Sequence, residues 1–353
     1  MPRFAKKIAD YRLKDLPQLN SISDLARWLN VSGDELSWLC NHRRSDQKNT
    51  LATSKHYVCH WVRKRSVGYR LIESPKPQLK QVQRKILDEI LNLVPAHPLS
   101  CGFVKNKSII DFVKPHFGRT TCLKLDIADF FTSITTRRVY GLFRVVGYDR
   151  DISYRLAMLT TTQTDPRYFN ERYPNFSHKS TGSAQRYQQR HLPQGAPSSP
   201  PIANLCAYRM DLRMAGLARH VGGVHYTRYA DDMLLSGNRS FKRQAKRLQI
   251  VAGSIAIEEG FQLNFHKTRI MHQHQRQKAG GVVLNSHLNF DRRDFDRLRA
   301  TLFNCIKHGP ASQNVSNRYD FRQHLRGKIA WVQTINPEKA KKLWKLFEQI
   351  DFD

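Results

Sequence analysis

Tyr226-Thr227-Arg228-Tyr229-Ala230-Asp231-Asp232-Met233-Leu234-Leu235-Ser236 reads as a β-hairpin with its tip at Ala230-Asp231-Asp232, where two carboxylates stand side by side. Adjacent acids repel, so a fold holds them at low cost only where they are exposed or neutralised by a cation. On its own an Asp-Asp pair is most often a turn cap. A second acid, 105 positions upstream, changes that reading. Thr121–Ile127 reads as a buried strand, and in Leu125-Asp126-Ile127-Ala128-Asp129-Phe130-Phe131 it ends on Asp126. Carboxylate oxygens are hard ligands of the kind Mg²⁺ takes, with the rest of its shell left to water and substrate phosphates.

These few acids sit in a strongly basic chain. Its 353 residues carry 59 Lys and Arg against 29 Asp and Glu, a formal charge of +30. Such a charge repels itself in the folded state and points to a polyanionic partner, nucleic acid first, through phosphate neutralisation and counterion release. The excess concentrates in residues 43–85, at +10, and again in residues 239–279, at +7. With 40% hydrophobic residues the composition is that of a globular protein of about two domains. No apolar run approaches the roughly 18 residues of a spanning helix, and the N-terminus has no signal-like apolar segment. Membrane insertion and secretion are excluded as first readings, and a cytoplasmic protein is expected. Six scattered cysteines without a CxxC pair read as reduced, mostly buried thiols.

Periodicity places the remaining elements. Ser23–Leu29 and Asp34–Cys40 read as short helices capped by Ser23 and Asp34. They resemble a helix-turn-helix only weakly, and a structural cap or an RNA-contacting pair is preferred. His56–Arg63 and Gly68–Ile72 read as strands around a basic turn, followed by a helix with Leu79, Val82, Ile86 and Ile90 on one face. Residues 164–190 are polar and read as an exposed excursion. Leu325, Ile329 and Val332, then Ala340, Leu343, Phe347 and Ile350, form two helical stripes broken at Asn336-Pro337. His272 and His274 form an isolated HxH without Cys or acid partners and are not read as a metal site.

Several segments together resemble the reverse transcriptases of the bacterial retron and group II intron branch. Arg228-Tyr229-Ala230-Asp231-Asp232 is similar to their YxDD box. His191-Leu192-Pro193-Gln194-Gly195-Ala196-Pro197-Ser198-Ser199-Pro200 is similar to their LPQGxPxSP box, continued by Pro201-Ile202-Ala203-Asn204-Leu205. The order also agrees: Tyr69-Arg70-Leu71-Ile72-Glu73-Ser74-Pro75, then Gly102-Phe103-Val104, then Asp126. Leu263-Asn264-Phe265-His266-Lys267-Thr268 and Gly280-Gly281-Val282-Val283-Leu284-Asn285 follow. The resemblance covers residues 55–350. It implies an α+β right-hand polymerase, with a helical extension over 1–45, fingers and palm over 46–290 and a helical thumb over 291–353.

The same resemblance implies roles. Asp126, Asp231 and Asp232 are the catalytic carboxylates and, with the carbonyl of Ile127, hold two Mg²⁺ ions, for which Mn²⁺ can substitute. Two ions about 3.5–4 Å apart activate a primer hydroxyl and stabilise the departing pyrophosphate. Arg70, with Arg63 or Lys64, is expected on the triphosphate of the incoming deoxynucleotide, where guanidinium geometry suits phosphate. Gln194 is expected against that nucleotide and Lys267 behind the carboxylates. Phe131 matches the position that excludes a ribose 2′-hydroxyl. Gly281, Arg326 and Lys328 are expected near the primer and template, on an RNA–DNA hybrid read by shape.

Within the family the chain looks most like a retron reverse transcriptase, implied to copy a cognate structured noncoding RNA into DNA in anti-phage defence, with an effector protein as a further partner. Two departures stand out. Where retrons carry NAxxH, Phe112-Val113-Lys114-Pro115-His116 keeps only the His. Where they carry VTG, Ala279-Gly280-Gly281 keeps only the last Gly. The chain ends soon after the thumb-like segment, so no RNase H, endonuclease or maturase module is expected. The competing readings are another defence-associated reverse transcriptase with a different product, a domesticated group II-like enzyme, and a mainly RNA-binding scaffold.

Overall fold

The computed structural model describes residues 15–40, 56–64, 69–169 and 181–352. Two compact units are built from interleaved stretches of chain. The first takes the described residues up to Val104 with Ile127–Met214 and Ala252–Asn264. The second takes Lys105–Asp126, Ala215–Val251 and Phe265 onward.

In the first unit, helices Ile22–Leu29 and Gly33–Leu39 each start one residue earlier than the pattern suggests. Their N-caps are Ser21 and Ser32, not Ser23 and Asp34. The reason is chemical: each serine hydroxyl accepts from the backbone N–H three residues on, and Glu35 returns a bond to the Ser32 N–H, closing a capping box. Strands β1 (Tyr57–Arg63) and β2 (Tyr69–Pro75) pair antiparallel, with Val62 opposite Arg70 and Arg63 opposite Tyr69. The turn residues between Lys64 and Tyr69 lie outside the described residues. The next helix, Pro77–Glu89, buries Leu79, Val82 and Ile86, with Ile90 buried just beyond its end. The stretch 164–190 is less exposed than its polarity suggests. Thr164 and Asp165 are buried, helix Thr181–Gln188 buries Tyr187, and only 170–180 lies outside the described residues.

The second unit holds a four-stranded antiparallel sheet in the order β4-β5-β3-β6, from β3 (Thr121–Asp126), β4 (His225–Tyr229), β5 (Asp232–Gly237) and β6 (Arg269–His272). β3 is an inner strand and largely buried, with Leu123 and Leu125 on one face and Lys124 and Asp126 on the other. His116 ties this sheet to the segment before it. The Thr227 hydroxyl donates to the Phe112 carbonyl, so it accepts from His116 Nε2 at 2.8 Å; Nδ1 then accepts from the Ser236 hydroxyl at 2.7 Å. One fully buried, neutral imidazole thus bridges both strands of the β4–β5 hairpin, and burial pushes its pKa down to about 3.

Two small hairpins follow, β7 (Lys278–Ala279), β8 (Val282–Val283) and β9 (Asn289–Phe290). Asp291, nearly buried, accepts from Arg276 and Lys278 and caps helix Arg292–His308. That helix packs with Phe321–Ile335 and Pro337–Phe347 around Leu298, Leu302, Leu325, Ile329, Val332, Leu343 and Phe347. Pro337 stands in the first turn of its helix, where a missing N–H costs nothing. All six cysteines are free thiols. No helix among the described residues is long and apolar enough to cross a membrane.

His116→Ala strands two buried hydroxyls and opens a cavity, at a cost of about 2–4 kcal/mol in urea unfolding. The unfolded chain binds the His116 proton more readily than the folded one, so this contribution is present above pH ~6.5 and is lost as pH falls toward 3. A change under about 0.5 kcal/mol would contradict the bridging role.

Candidate active site

The second unit brings the three predicted acids together by strand register. Asp126, the last residue of β3, lies directly opposite Asp232, the first residue of β5. Tyr229 pairs with Asp232, so the hairpin loop is only Ala230-Asp231, and Asp232 belongs to the strand and not to the tip. The loop demands a left-handed residue, and Ala230 supplies it at φ 55°, a conformation that costs an alanine about 1 kcal/mol. Fully buried Arg228 braces the turn by donating to the Ala230 carbonyl at 2.9 Å. Backbone strain held in place by packing is a mark of functional sites.

The electrostatics follow from this crowding. Burial, then the neighbouring Asp232 and Asp126, pushes the Asp231 carboxyl up to about 6. Burial also raises Asp126, against the pull of Lys267, whose ammonium lies 3.0 Å from its carboxylate. Lys124, two residues before Asp126 on the same strand face, holds Asp232 at 2.9 Å. Lys267 thus stands on the carboxylates. Lys124 has no sequence signal beyond its place in the strand, because the ion pair is diagonal across two strands. Among the described residues no three His, Cys, Asp or Glu side chains form a ready-made metal cage. The donor chemistry nonetheless fits a hard dication: three crowded carboxylates, two held by lysines and the third driven toward protonation.

The residues expected at the incoming nucleotide lie in the first unit, Lys267 apart. Arg63 and Arg70 are both exposed, but strand alternation sends them to opposite faces of the β1–β2 hairpin, Arg70 with Val62, His60 and Val58. Lys64 is half-buried just past β1. Gln194 is fixed through its backbone, its carbonyl accepting from the Glu73 N–H at 2.9 Å. Gly195, at φ 137°, runs so close to β2 that a β-carbon would stand 3.0 Å from the Glu73 carbonyl oxygen. Buried Glu73 in turn accepts from Thr164 at 2.6 Å and faces His191 Nε2 at 2.9 Å, while His191 Nδ1 donates to the Gln189 carbonyl. Sequence reasoning passed over Glu73 and His191, whose separation of 118 positions hides the pair.

Phe131 lies against Phe130 and against Phe103, a half-exposed ring on a left-handed backbone at φ 58°. Asp129 faces Arg186 at 3.6 Å; the Arg186 guanidinium also donates to the Ala128 carbonyl. Ile127 follows Asp126 directly in the chain. Back in the second unit, Gly280 and Gly281 both have positive φ and form the two-residue turn between β7 and β8, with Trp331 at 3.9 Å from a β-carbon placed on Gly281. Arg326 and Lys328 are exposed on helix Phe321–Ile335.

A model of the family "Reverse transcriptase (RNA-dependent DNA polymerase)" matches residues 62–289. The chain belongs to this family: it is a reverse transcriptase, an RNA-directed DNA polymerase of right-hand architecture. It is 37% identical to the retron Mx65 reverse transcriptase of Myxococcus xanthus, over 93% of this chain and 71% of that one. It is 32% identical to the retron Mx162 enzyme of the same organism, over 94% and 67%, and 29% identical to the retron Ec86 enzyme of Escherichia coli, over 96% and 92%.

Two measurements test this geometry. Because the folded Asp231 holds its proton more tightly than the unfolded chain does, stability falls as pH rises from about 4 to 6. In metal-free buffer above pH ~6, Asp231→Asn should therefore melt higher than the wild type, and the gap should close on acidification; a lower melting temperature would contradict the crowding. Gly195→Ala should destabilise the chain by about 1–3 kcal/mol in urea unfolding, through the left-handed backbone and the contact with β2.

Proposed function

We propose that this reverse transcriptase copies a cognate structured noncoding RNA into DNA at Asp126, Asp231 and Asp232, as retron enzymes do, and serves anti-phage defence. The observation that carries the chemistry is the register that sets Asp126 opposite Asp232 with Asp231 beside them. Those carboxylates, with the Ile127 carbonyl, would hold two Mg²⁺ ions, which supply charge neutralisation at the attacking and leaving oxygens. Lys267 and Lys124 pair with Asp126 and Asp232 until the dications arrive. The similarity to retron enzymes across most of the chain supports the retron reading. The defence role and an effector partner rest on that resemblance.

The nucleotide contacts in this reading are Arg70 and Lys64 on the triphosphate, in preference to Arg63, which points to the other face of the hairpin from Arg70. Gln194 meets the nucleotide from a loop tied to β2, and Phe131 excludes the 2′-hydroxyl. Gly281, Arg326 and Lys328 meet primer and template. Residues 46–290 serve as fingers and palm and 291–353 as thumb, with 1–45 as an N-terminal extension.

The test is extension of oligo(dT) on poly(rA) in Mg²⁺, together with phage protection in cells. The Asp231→Ala/Asp232→Ala protein should lose at least about 10³-fold in rate, some 4 kcal/mol of barrier, and lose protection with it. Protection that survives the double substitution would favour the RNA-binding scaffold. Phe131→Ala should raise ribonucleotide incorporation by roughly tenfold or more; an unchanged ratio removes Phe131 from the gate.

A further inference from the structure

The second unit carries a charged surface that the polymerase site does not use. Helix Arg239–Glu258 begins two residues after β5 ends. Phe241, Ala245 and Leu248 are its buried side. Arg239, Lys242, Arg243, Lys246 and Arg247, at helical spacings 0, 3, 4, 7 and 8, are all exposed on the opposite side. No acid occurs in the chain between Asp232 and Glu258, and none of the five cations forms an ion pair among the described residues.

The placement of these charges opposes local helix energetics. The N-terminal end of a helix carries partial positive charge and favours acids, while cations belong in the last turn. Here the first turn has no acid, five cations fill the first two and a half turns, and the helix's only acid, Glu258, is its last residue. A face that breaks the local rule without an internal partner is explained by an external anion. Residues 239–247 span about 12 Å of helix axis. A nucleic acid duplex presents about seven phosphates over that length. Lys242 also lies close to His272 on β6, where burial first and then this ammonium hold the imidazole below the usual range, and His272 stacks on His274.

The surface is also distinct from the catalytic carboxylates. β5 starts at Asp232 and runs five residues, about 17 Å, away from them before the helix begins. Between the cations stand Ser240 and Gln244, and two exposed isoleucines, Ile250 and Ile257, follow; no aromatic residue anchors the face as a lipid-inserting helix requires. We infer that Arg239, Lys242, Arg243, Lys246 and Arg247 form a second RNA-binding surface, which grips the phosphate backbone of a duplex segment of the structured RNA outside the polymerase cleft. The inference rests on the reading that the substrate is a structured RNA.

The test replaces all five cations by glutamine. The probe is a hairpin RNA with a stem of about 16 base pairs. The variant should bind it at least about tenfold more weakly near 0.15 M salt, and the plot of log Kd against log salt should lose about 3–4 of its slope, from about 0.9 per phosphate contact. Extension of preannealed oligo(dT) on poly(rA) should stay within about twofold of wild type, because that duplex is held at the carboxylates. Thermal melting should rise, since the substitutions relieve the unfavourable helix charge. An unchanged salt slope on the hairpin overturns the proposal, and so does binding to phosphatidylserine-rich vesicles that the variant loses while its hairpin affinity is intact. If the wild type itself fails to extend oligo(dT), the polymerase reading falls; if it extends and only the hairpin result fails, the second surface alone is wrong.

Discussion

The antiparallel register of β3 and β5 is the constraint on which the candidate site depends, because it forces Asp126 and Asp232 into direct opposition and leaves Asp231 on the strained loop between β5 and β4. Three carboxylates in one place are unfavourable in any fold without a cation. The surrounding structure offsets the cost in identifiable ways. Lys267 and Lys124 each take one carboxylate, Asp231 is pushed toward its neutral form, and Arg228 holds the turn from beneath. Such a site is less stable empty than filled, which is the physical meaning of a binding site for divalent ions.

The same economy appears in the first unit, where a different interaction fixes a different loop. Glu73 is buried with His191 and Thr164 as partners, and its backbone N–H holds the Gln194 carbonyl. The LPQG segment is therefore a rigid extension of β2, with glycine required at 195 by the close backbone approach. A loop anchored by a buried polar network is preorganised, and preorganisation is what positions a substrate without further ordering cost.

Much of this was legible in the sequence, for reasons that differ by element. β3 and β5 carry apolar runs that border on an acid, so they stand out in a basic chain. The helical stripes at Leu325–Ile350 follow a 3.6-residue period with Pro337 as a boundary, and the helices fall where the stripes do. The N-caps lie two residues before the expected ones because Ser21, Ser23, Ser32 and Asp34 are all good caps, and only backbone geometry chooses among them. Lys124 and the Glu73–His191 pair were hidden because their partners are distant in the chain or diagonal across strands. The polar stretch 164–190 read as exposed, yet Thr164 and Tyr187 are buried, since their hydroxyls and rings meet partners that composition does not reveal.

The central claim is that these carboxylates form a divalent-metal site for template-directed DNA synthesis. Its most direct test is electron paramagnetic resonance of Mn²⁺ titrated into the protein bound to an oligo(dT)·poly(rA) substrate with a 3′-deoxy primer end and dTTP. The account predicts two Mn²⁺ ions bound per chain in this blocked complex and loss of both in Asp126→Asn. Full Mn²⁺ occupancy in the Asp126→Asn complex, or none in the wild type, would contradict it.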